Sequence, residues 1–122
     1  AEVLSDALER GYAAQESGRH AEAIAAFREA LALAPREVGV ALALANAQRL
    51  AGQHLESRAT LIAAQRMAPV NDPSLGMTLG ASLLDAGAPR EAGACFARVM
   101  RLTTGDPAPI AALAGARRMA GA

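Results

Sequence analysis

The stretch from residue 18 to residue 35, GRHAEAIAAFREALALAP, decides the fold because two later stretches repeat its pattern. Residues 52–69 read GQHLESRATLIAAQRMAP, and residues 87–102 read GAPREAGACFARVMRL. Their opening glycines, Gly18, Gly52 and Gly87, are separated by 34 and 35 residues. A period near 34 residues is typical of stacked helical hairpins, so the repeat predicts an all-α protein.

The composition agrees with closely packed helices and argues against several classes of function. Hydrophobic residues make up 52% of the chain, yet its aromatic residues are only Tyr12, Phe27 and Phe96. Much of the remainder is alanine, the strongest helix former. No apolar run approaches the roughly 18 residues that span a bilayer. We therefore expect no membrane insertion. Because the net charge is zero, we also expect no attraction to nucleic acid.

Arginine and cysteine usage give weaker indications. All twelve basic residues are arginine, which together with abundant alanine and glycine suggests a GC-rich bacterial genome. No signal sequence opens the 122 residues, so a cytoplasmic location is expected. Cys95 is the single cysteine and has no partner for an internal disulfide. A buried structural thiol is favoured there over a reactive one.

Hydrophobic spacing and helix-ending residues predict seven helices in a single domain covering residues 1–122. Gly18 and Gly87 each end a helix. Asp72-Pro73 and Asp106-Pro107 each start one, because aspartate caps free amides and proline is tolerated in a first turn. The helices are expected at about 4–17, 21–33, 37–51, 55–67, 73–85, 89–102 and 108–119.

These repeats resemble the tetratricopeptide repeat (TPR) family, whose 34-residue unit places small residues where its two helices cross. With Leu4, Val38 and Pro73 as first positions, the eighth positions are small: Gly11, Ala45 and Gly80. The twentieth positions are also small: Ala23, Ser57 and Ala92. The twenty-fourth positions are bulky: Phe27, Leu61 and Phe96. The resemblance implies a right-handed superhelix of three helix-turn-helix repeats, about 4–37, 38–72 and 73–106, plus a capping helix at 107–120.

The repeats depart from the family pattern at several positions, including the fourth, where Ala7, Ala41 and Gly76 replace a usual large residue. Arg10 stands where leucine is usual, so the first helix is expected to be displaced or frayed. The thirty-second positions hold Pro35 and Pro69, but Thr104 breaks the pattern. Gly76 and Gly80 fall within a helical pattern and are expected to allow close packing. A different family of amphipathic helical hairpins is the alternative.

The family resemblance places the first helix of each repeat on a concave face that binds peptides. Asn46, Gln15 and Arg49 would be polar handles there, beside apolar anchor sites for an extended segment of a partner protein. For Leu50 and Leu84, packing inside the hairpins is an open alternative. The candidate groove residues are Leu8, Tyr12, Gln15, Leu42, Asn46, Arg49, Leu50, Met77, Ala81 and Leu84.

The groove lacks one clamp that is known in the family. TPR domains that hold the acidic carboxyl terminus of heat-shock chaperones use basic residues where this chain has Leu8, Ser74 and Thr78. Such a tail is therefore not an expected partner. A narrower resemblance is to class II chaperones of bacterial type III secretion. It is carried by the segment Met67 to Leu84, which runs through Asn71-Asp72-Pro73, and by the extra C-terminal helix. It implies that the groove binds an apolar segment of a translocator subunit.

No arrangement of residues predicts an enzyme. His20 and His54 occupy equivalent turn positions, but no further ligand is placed to complete a metal site, so solvated histidines are favoured. We expect no cofactor and no metal. The alternative function is a scaffold or oligomerisation domain cut from a larger bacterial protein, and assembly into a homo-oligomer is left open.

Overall fold

The computed structural model describes residues 3–67, 70–103 and 106–121, and within these ranges it contains seven α-helices and no strand. Each helix begins and ends within two residues of its predicted bounds, so the all-α repeat prediction is confirmed. The helices are α1 (Leu4–Glu16), α2 (His20–Leu33), α3 (Val38–Leu50), α4 (His54–Met67), α5 (Pro73–Asp85), α6 (Pro89–Leu102) and α7 (Pro107–Gly121).

The chain divides into two compact units, Ala1–Thr60 and Leu61–Ala122, with the boundary inside α4. In the first unit α1 packs against α2, and α2 packs against α3. In the second unit α5 packs against α6, and α6 packs against α7. The single domain over residues 1–122 stays a prediction.

Three glycines close the turns between paired helices. Gly18, Gly52 and Gly87 have φ values of 74°, 81° and 81°, a conformation that glycine adopts without a Cβ penalty. The residue after each glycine donates its amide to the carbonyl five residues earlier. These bonds, from Arg19, Gln53 and Ala88, measure 2.9, 2.8 and 2.8 Å. They satisfy carbonyls at the helix end, as predicted for Gly18 and Gly87.

Aspartate starts the helices that the sequence indicated. Asp72 Oδ1 accepts from the amides of Ser74 at 3.0 Å and Leu75 at 3.3 Å, and Pro73 is the first helical residue. Asp106 Oδ1 accepts from the Ala108 amide at 3.0 Å. Both predicted caps are confirmed. Pro69 and Thr104, which entered the repeat pattern, lie outside the described residues.

Small residues face bulky ones where paired helices cross. A Cβ on Gly11 would lie 2.5 Å from Cε1 of Phe27, and a Cβ on Gly80 would crowd Cε1 of Phe96 equally. Both phenyl rings are buried, with exposures of 0% and 1%. These contacts require glycine at the eighth position because a methyl group would overlap the ring.

The expectation that α1 is displaced or frayed at Arg10 is wrong. The helix is continuous from Leu4 to Glu16, and its inner face of Ala7, Gly11 and Ala14 is buried. Arg10 lies on the exposed side, where its Nη1 contacts Glu29 Oε2 at 2.8 Å. An arginine is tolerated at this position because the side chain reaches solvent along α2.

Candidate functional site

The ten candidate groove residues divide between the two units. Seven lie in the first unit and three on α5 in the second. Those in the first unit are Leu8, Tyr12 and Gln15 on α1, and Leu42, Asn46, Arg49 and Leu50 on α3. Those in the second unit are Met77, Ala81 and Leu84.

Tyr12 is the most prominent of these side chains. It is 49% exposed, and its ring stands edge-on to the buried Phe27 ring, with centroids 5.0 Å apart and an interplanar angle of 73°. Edge-to-face pairs of this kind restrict a ring at little cost. Tyr12 therefore presents a positioned aromatic surface to solvent, and the glycine beside it, Gly11, is what lets the Phe27 ring come so close.

Leu8 and Gln15 flank Tyr12 on α1 but are less accessible. Leu8 is half-buried and packs against two core clusters, one containing Phe27 and the other containing Val40. It contributes to the core as well as to the surface. Gln15 is also half-buried, and its buried Oε1 makes no hydrogen bond with any described residue. A buried acceptor without a partner carries a desolvation cost, so Gln15 is a weaker candidate than Tyr12 for contact with a ligand.

On α3 the polar candidates bind each other. Arg49 Nη2 donates to Asn46 Oδ1 at 2.7 Å, which fixes both side chains on the helix surface. The Asn46 amide nitrogen keeps its two donors, and a peptide carbonyl is a suitable acceptor. Leu42 is half-buried, whereas Leu50 is 44% exposed.

On α5 the three candidates share one face of the helix, and a fully buried pair lies on the other. Leu79 and Leu83 are completely buried, while Met77 and Leu84 are half-buried and Ala81 is exposed. The positions of the acidic-tail clamp carry no cation, since they are Leu8, Ser74 and Thr78. Thr78 Oγ1 instead donates to the Ser74 carbonyl at 3.1 Å.

The remaining groups give little chemistry. Cys95 is buried, and burial raises the pKa of its thiol to about 11, so the reactive thiolate is scarce at neutral pH. His20 and His54 are the first residues of α2 and α4, not turn residues as expected. Within the described ranges, no three His, Cys, Asp or Glu residues lie together as metal ligands would. No described helix has the length and apolar character to cross a bilayer.

Two surface depressions fall outside the candidate residues. One, of about 450 Å³, lies between α1 and α2 and is lined by Arg10, Arg19, Glu22 and Glu29 with four alanines. The other, of about 320 Å³, lies between α6 and α7 around Gly93. The sequence carried a signal for the second, because Gly93 stands where the first repeat has Ile24.

The helix pairs, their glycine turns and the small-against-bulky crossings define a helical-repeat protein. A model of the tetratricopeptide repeat family matches residues 14–80, and the chain belongs to that family. None of the curated proteins matches the sequence.

Solved structures of TPR proteins share the fold. The first TPR domain of Spaghetti (RPAP3), bound to the HSP90 peptide SRMEEVD, is 15% identical with a TM-score of 0.64, covering 98% of this chain and 94% of that one. The Yersinia enterocolitica type III secretion chaperone SycD, in complex with a peptide of the translocator YopD, is 16% identical with a TM-score of 0.61, covering 94% and 92%. The Sgt2 TPR domain from Aspergillus fumigatus is 20% identical with a TM-score of 0.64, covering 97% and 79%.

Proposed function

We propose that this protein is a non-enzymatic interaction module whose first repeat helices bind an extended apolar segment of a partner protein. The observation that carries the proposal is Tyr12, an exposed aromatic ring held against Phe27. Leu42, Leu50, Met77 and Leu84 would take further anchors, and Asn46 would bind the peptide backbone.

The electrostatics of these helices favour an apolar ligand over an acidic tail. The clamp positions are uncharged, and Arg49 is already engaged by Asn46. An acidic peptide would therefore lose the hydration of several carboxylates and gain charge-assisted hydrogen bonds only at Arg49. Burying each leucine-sized anchor contributes about 1.5–3 kcal/mol, so two or three anchors give micromolar affinity after the cost of association.

A narrower form of the proposal is a bacterial cytoplasmic chaperone that holds translocator subunits for type III secretion. The likeness of the fold to SycD, a structure that contains a translocator peptide, supports it. The supporting sequence feature is the capped start of α5 at Asp72-Pro73, followed by the apolar residues Met77 and Leu84.

The test uses two labelled peptides, the acidic SRMEEVD and an extended peptide with three leucines spaced along it, in fluorescence anisotropy titrations. We expect the apolar peptide to bind at micromolar concentration and the acidic one to bind at least about tenfold more weakly. Tyr12→Glu should abolish apolar-peptide binding. Tighter binding of the acidic peptide would overturn the proposal.

Matched substitutions separate binding from folding. Tyr12→Glu and Leu50→Glu alter exposed side chains, so the helical signal should persist. Leu8→Glu is a poor test because Leu8 also packs against the core. Ile110→Glu on α7 introduces the same charge at a residue that is 56% exposed and outside the candidate set, and it should leave affinity unchanged.

A scaffold or oligomerisation role is the second candidate, and exposed residues at the ends of the second helices favour it. Leu33, Met67 and Leu102 occupy the same repeat position and are 47%, 45% and 40% exposed. Apolar residues of this size left in water are common at interaction surfaces. The test compares the wild type with the triple variant Leu33→Glu, Met67→Glu and Leu102→Glu by analytical ultracentrifugation. If these residues form a scaffold surface, the wild type should self-associate and the variant should not.

A further inference from the structure

One face is exposed in α7 although it is buried in α1, α3 and α5, the first helices of the three repeats. Repeat positions in α7 are counted from Pro107. At the fourth, eighth and eleventh repeat positions, α1, α3 and α5 carry buried residues. The equivalent residues of α7 are Ile110, Ala114 and Arg117, and all three are exposed. The neighbouring face of α7, about 100° around the helix, is covered, since Pro109, Leu113 and Ala116 are buried.

The covering element is known in the other cases. In the first unit α2 brings Phe27 onto Gly11 of α1, and Ser57 of α4 donates its Oγ to the Ala45 carbonyl of α3 at 2.8 Å. In the second unit α6 covers α5 through Val99 and Phe96. In the two cases with glycine at the eighth position, the covering helix brings a phenylalanine ring onto this face.

The groove beside this face carries two positive charges and has space for side chains of a partner. Between α6 and α7 lies the depression of about 320 Å³, lined by Arg90, Gly93, Ala94, Ala97, Arg117 and Ala120 among others. Arg90 and Arg117 are exposed, and neither makes an ion pair or hydrogen bond within the described part of the chain. A helix entering this groove would meet two cations and a floor of small residues, so acidic side chains on its contact face are favoured.

We propose that the groove between α6 and α7, together with the exposed α7 face of Ile110, Ala114 and Arg117, binds an acidic amphipathic helix of a partner protein. The helix presents small residues and carboxylates to Arg90 and Arg117, and one leucine-sized side chain to Ala114. This surface is separate from the candidate peptide-binding residues on α1, α3 and α5.

The size of the central side chain follows from the repeats. Glycine at the eighth position accompanies phenylalanine in the first and third repeats, whereas alanine accompanies leucine in the second. A methyl group on Gly11 would lie 2.5 Å from the Phe27 ring. With Ala114 at the eighth position of α7, the docking helix therefore needs leucine rather than phenylalanine.

The contact between α3 and α4 indicates which side chains of the docking helix face the groove. Thr60 of α4 donates to Gln48 of α3 at 2.7 Å, and Gln48 has the same repeat position as Arg117. The helix α2 offers a contact face of the required chemistry in the same register: Glu22, Ala25, Ala26 and Glu29, which are accessible enough to line a surface depression. A peptide with the sequence of residues 20–33 and Phe27→Leu is thus a suitable probe.

The experiment uses this peptide with Ile24→Lys and Arg28→Glu, whose side chains are joined as a lactam that holds it helical. Its binding to the whole 122-residue chain is measured by isothermal titration calorimetry. We expect binding at tens of micromolar and a loss of at least about tenfold with Ala114→Arg or Arg117→Glu. Ala108→Arg is the matched control because residue 108 lies about 120° around the helix from residue 114, and it should leave binding unchanged.

Changing the sizes of the peptide side chain at position 27 and of residue 114 tests whether these two residues are in contact. The same peptide with its native phenylalanine should bind about tenfold more weakly to the wild type, and Ala114→Gly should restore it. Absence of binding, or binding that Ala114→Arg and Arg117→Glu do not affect, would overturn the proposal. Self-association of the chain that Ala114→Arg abolishes would also overturn it, because the occupant would then be a second copy.

Discussion

The α1–α2 pair and the α5–α6 pair solve the same packing problem with different residues. Both place a phenylalanine ring directly on a glycine, Phe27 on Gly11 and Phe96 on Gly80, at nearly equal separations. One helical turn away, at the fourth and twenty-seventh repeat positions, the two helix pairs differ. The first pair has two buried alanines, Ala7 and Ala30, whereas the second has Gly76 against Val99.

The difference shows that packing is adjusted by pairs of positions rather than at single positions. A Cβ on Gly76 would lie 2.6 Å from Cγ2 of Val99, so the methyl group missing from α5 makes room for the larger side chain on α6. The outer surfaces show no such exchange, because the ninth position is an exposed tyrosine, Tyr12, on α1 and an exposed alanine, Ala81, on α5. Packing therefore repeats between the pairs, while the candidate binding residues do not.

The largest effect should come from removing either ring. Phe27→Ala and Phe96→Ala should each lower the free energy of unfolding by about 3–5 kcal/mol, since each leaves a cavity in a closed core. Urea denaturation followed by circular dichroism measures both. Nearly equal losses would support equivalent crossings, and a loss below about 1 kcal/mol at one of them would break the comparison.

Adding a methyl group beneath either ring should come next. Gly11→Ala and Gly80→Ala should each destabilise the protein by about 1–3 kcal/mol through overpacking, despite the better helix propensity of alanine. Gly39→Ala is the control, because a Cβ there meets no atom within 4 Å. That control should be neutral or slightly stabilising in the same denaturation experiment. Stabilisation by Gly80→Ala would contradict the crossing geometry.

The pair Gly76 and Val99, which stands where the first repeat has Ala7 and Ala30, predicts a coupling between two substitutions. Gly76→Ala and Val99→Ala should each be destabilising, but together they recreate the alanine pair of α1 and α2. We expect the double variant to be more stable than the sum of the single effects by about 0.5–3 kcal/mol. A double-mutant cycle of unfolding free energies measures this, and additive effects would show that the two positions are packed independently.

The smallest effect should be a gain in stability at the α6–α7 groove. A Cβ on Gly93 would lie 3.7 Å from Leu113 Cδ1 and 3.9 Å from Ala116 Cβ, which are ordinary contact distances. Gly93→Ala should therefore stabilise the protein by about 0.5–1 kcal/mol through helix propensity. Thermal unfolding is sensitive enough to detect it. A lowered melting temperature would mean that this glycine is as tightly packed as Gly80.

Features that depend on one residue and its immediate neighbours could be predicted from the sequence. The glycine turns at Gly18 and Gly87 and the Asp72-Pro73 helix start are local, and the structure confirms them. The 34-residue period also aligned small residues with bulky ones, so the contact between Gly80 and Phe96 followed from the resemblance to a known family.

Features that depend on which face of a helix is covered could not be predicted as well. Arg10 is unusual for its repeat position, but its side chain is exposed and reaches Glu29 of α2 on the surface. The core contacts of Leu8 and the bond between Arg49 and Asn46 depend on side-chain conformations. Repeat position gives the side of the helix but not these contacts.

The buried thiol of Cys95 makes the second unit measurable on its own. With its pKa raised to about 11, the thiol remains protonated near pH 8 and is shielded from an alkylating reagent while α6 stays packed. Modification would then proceed only through molecules in which this helix has opened, so the labelling rate reports the population of that open state. The sole cysteine in the sequence thus supplies a native probe of local unfolding that needs no added label.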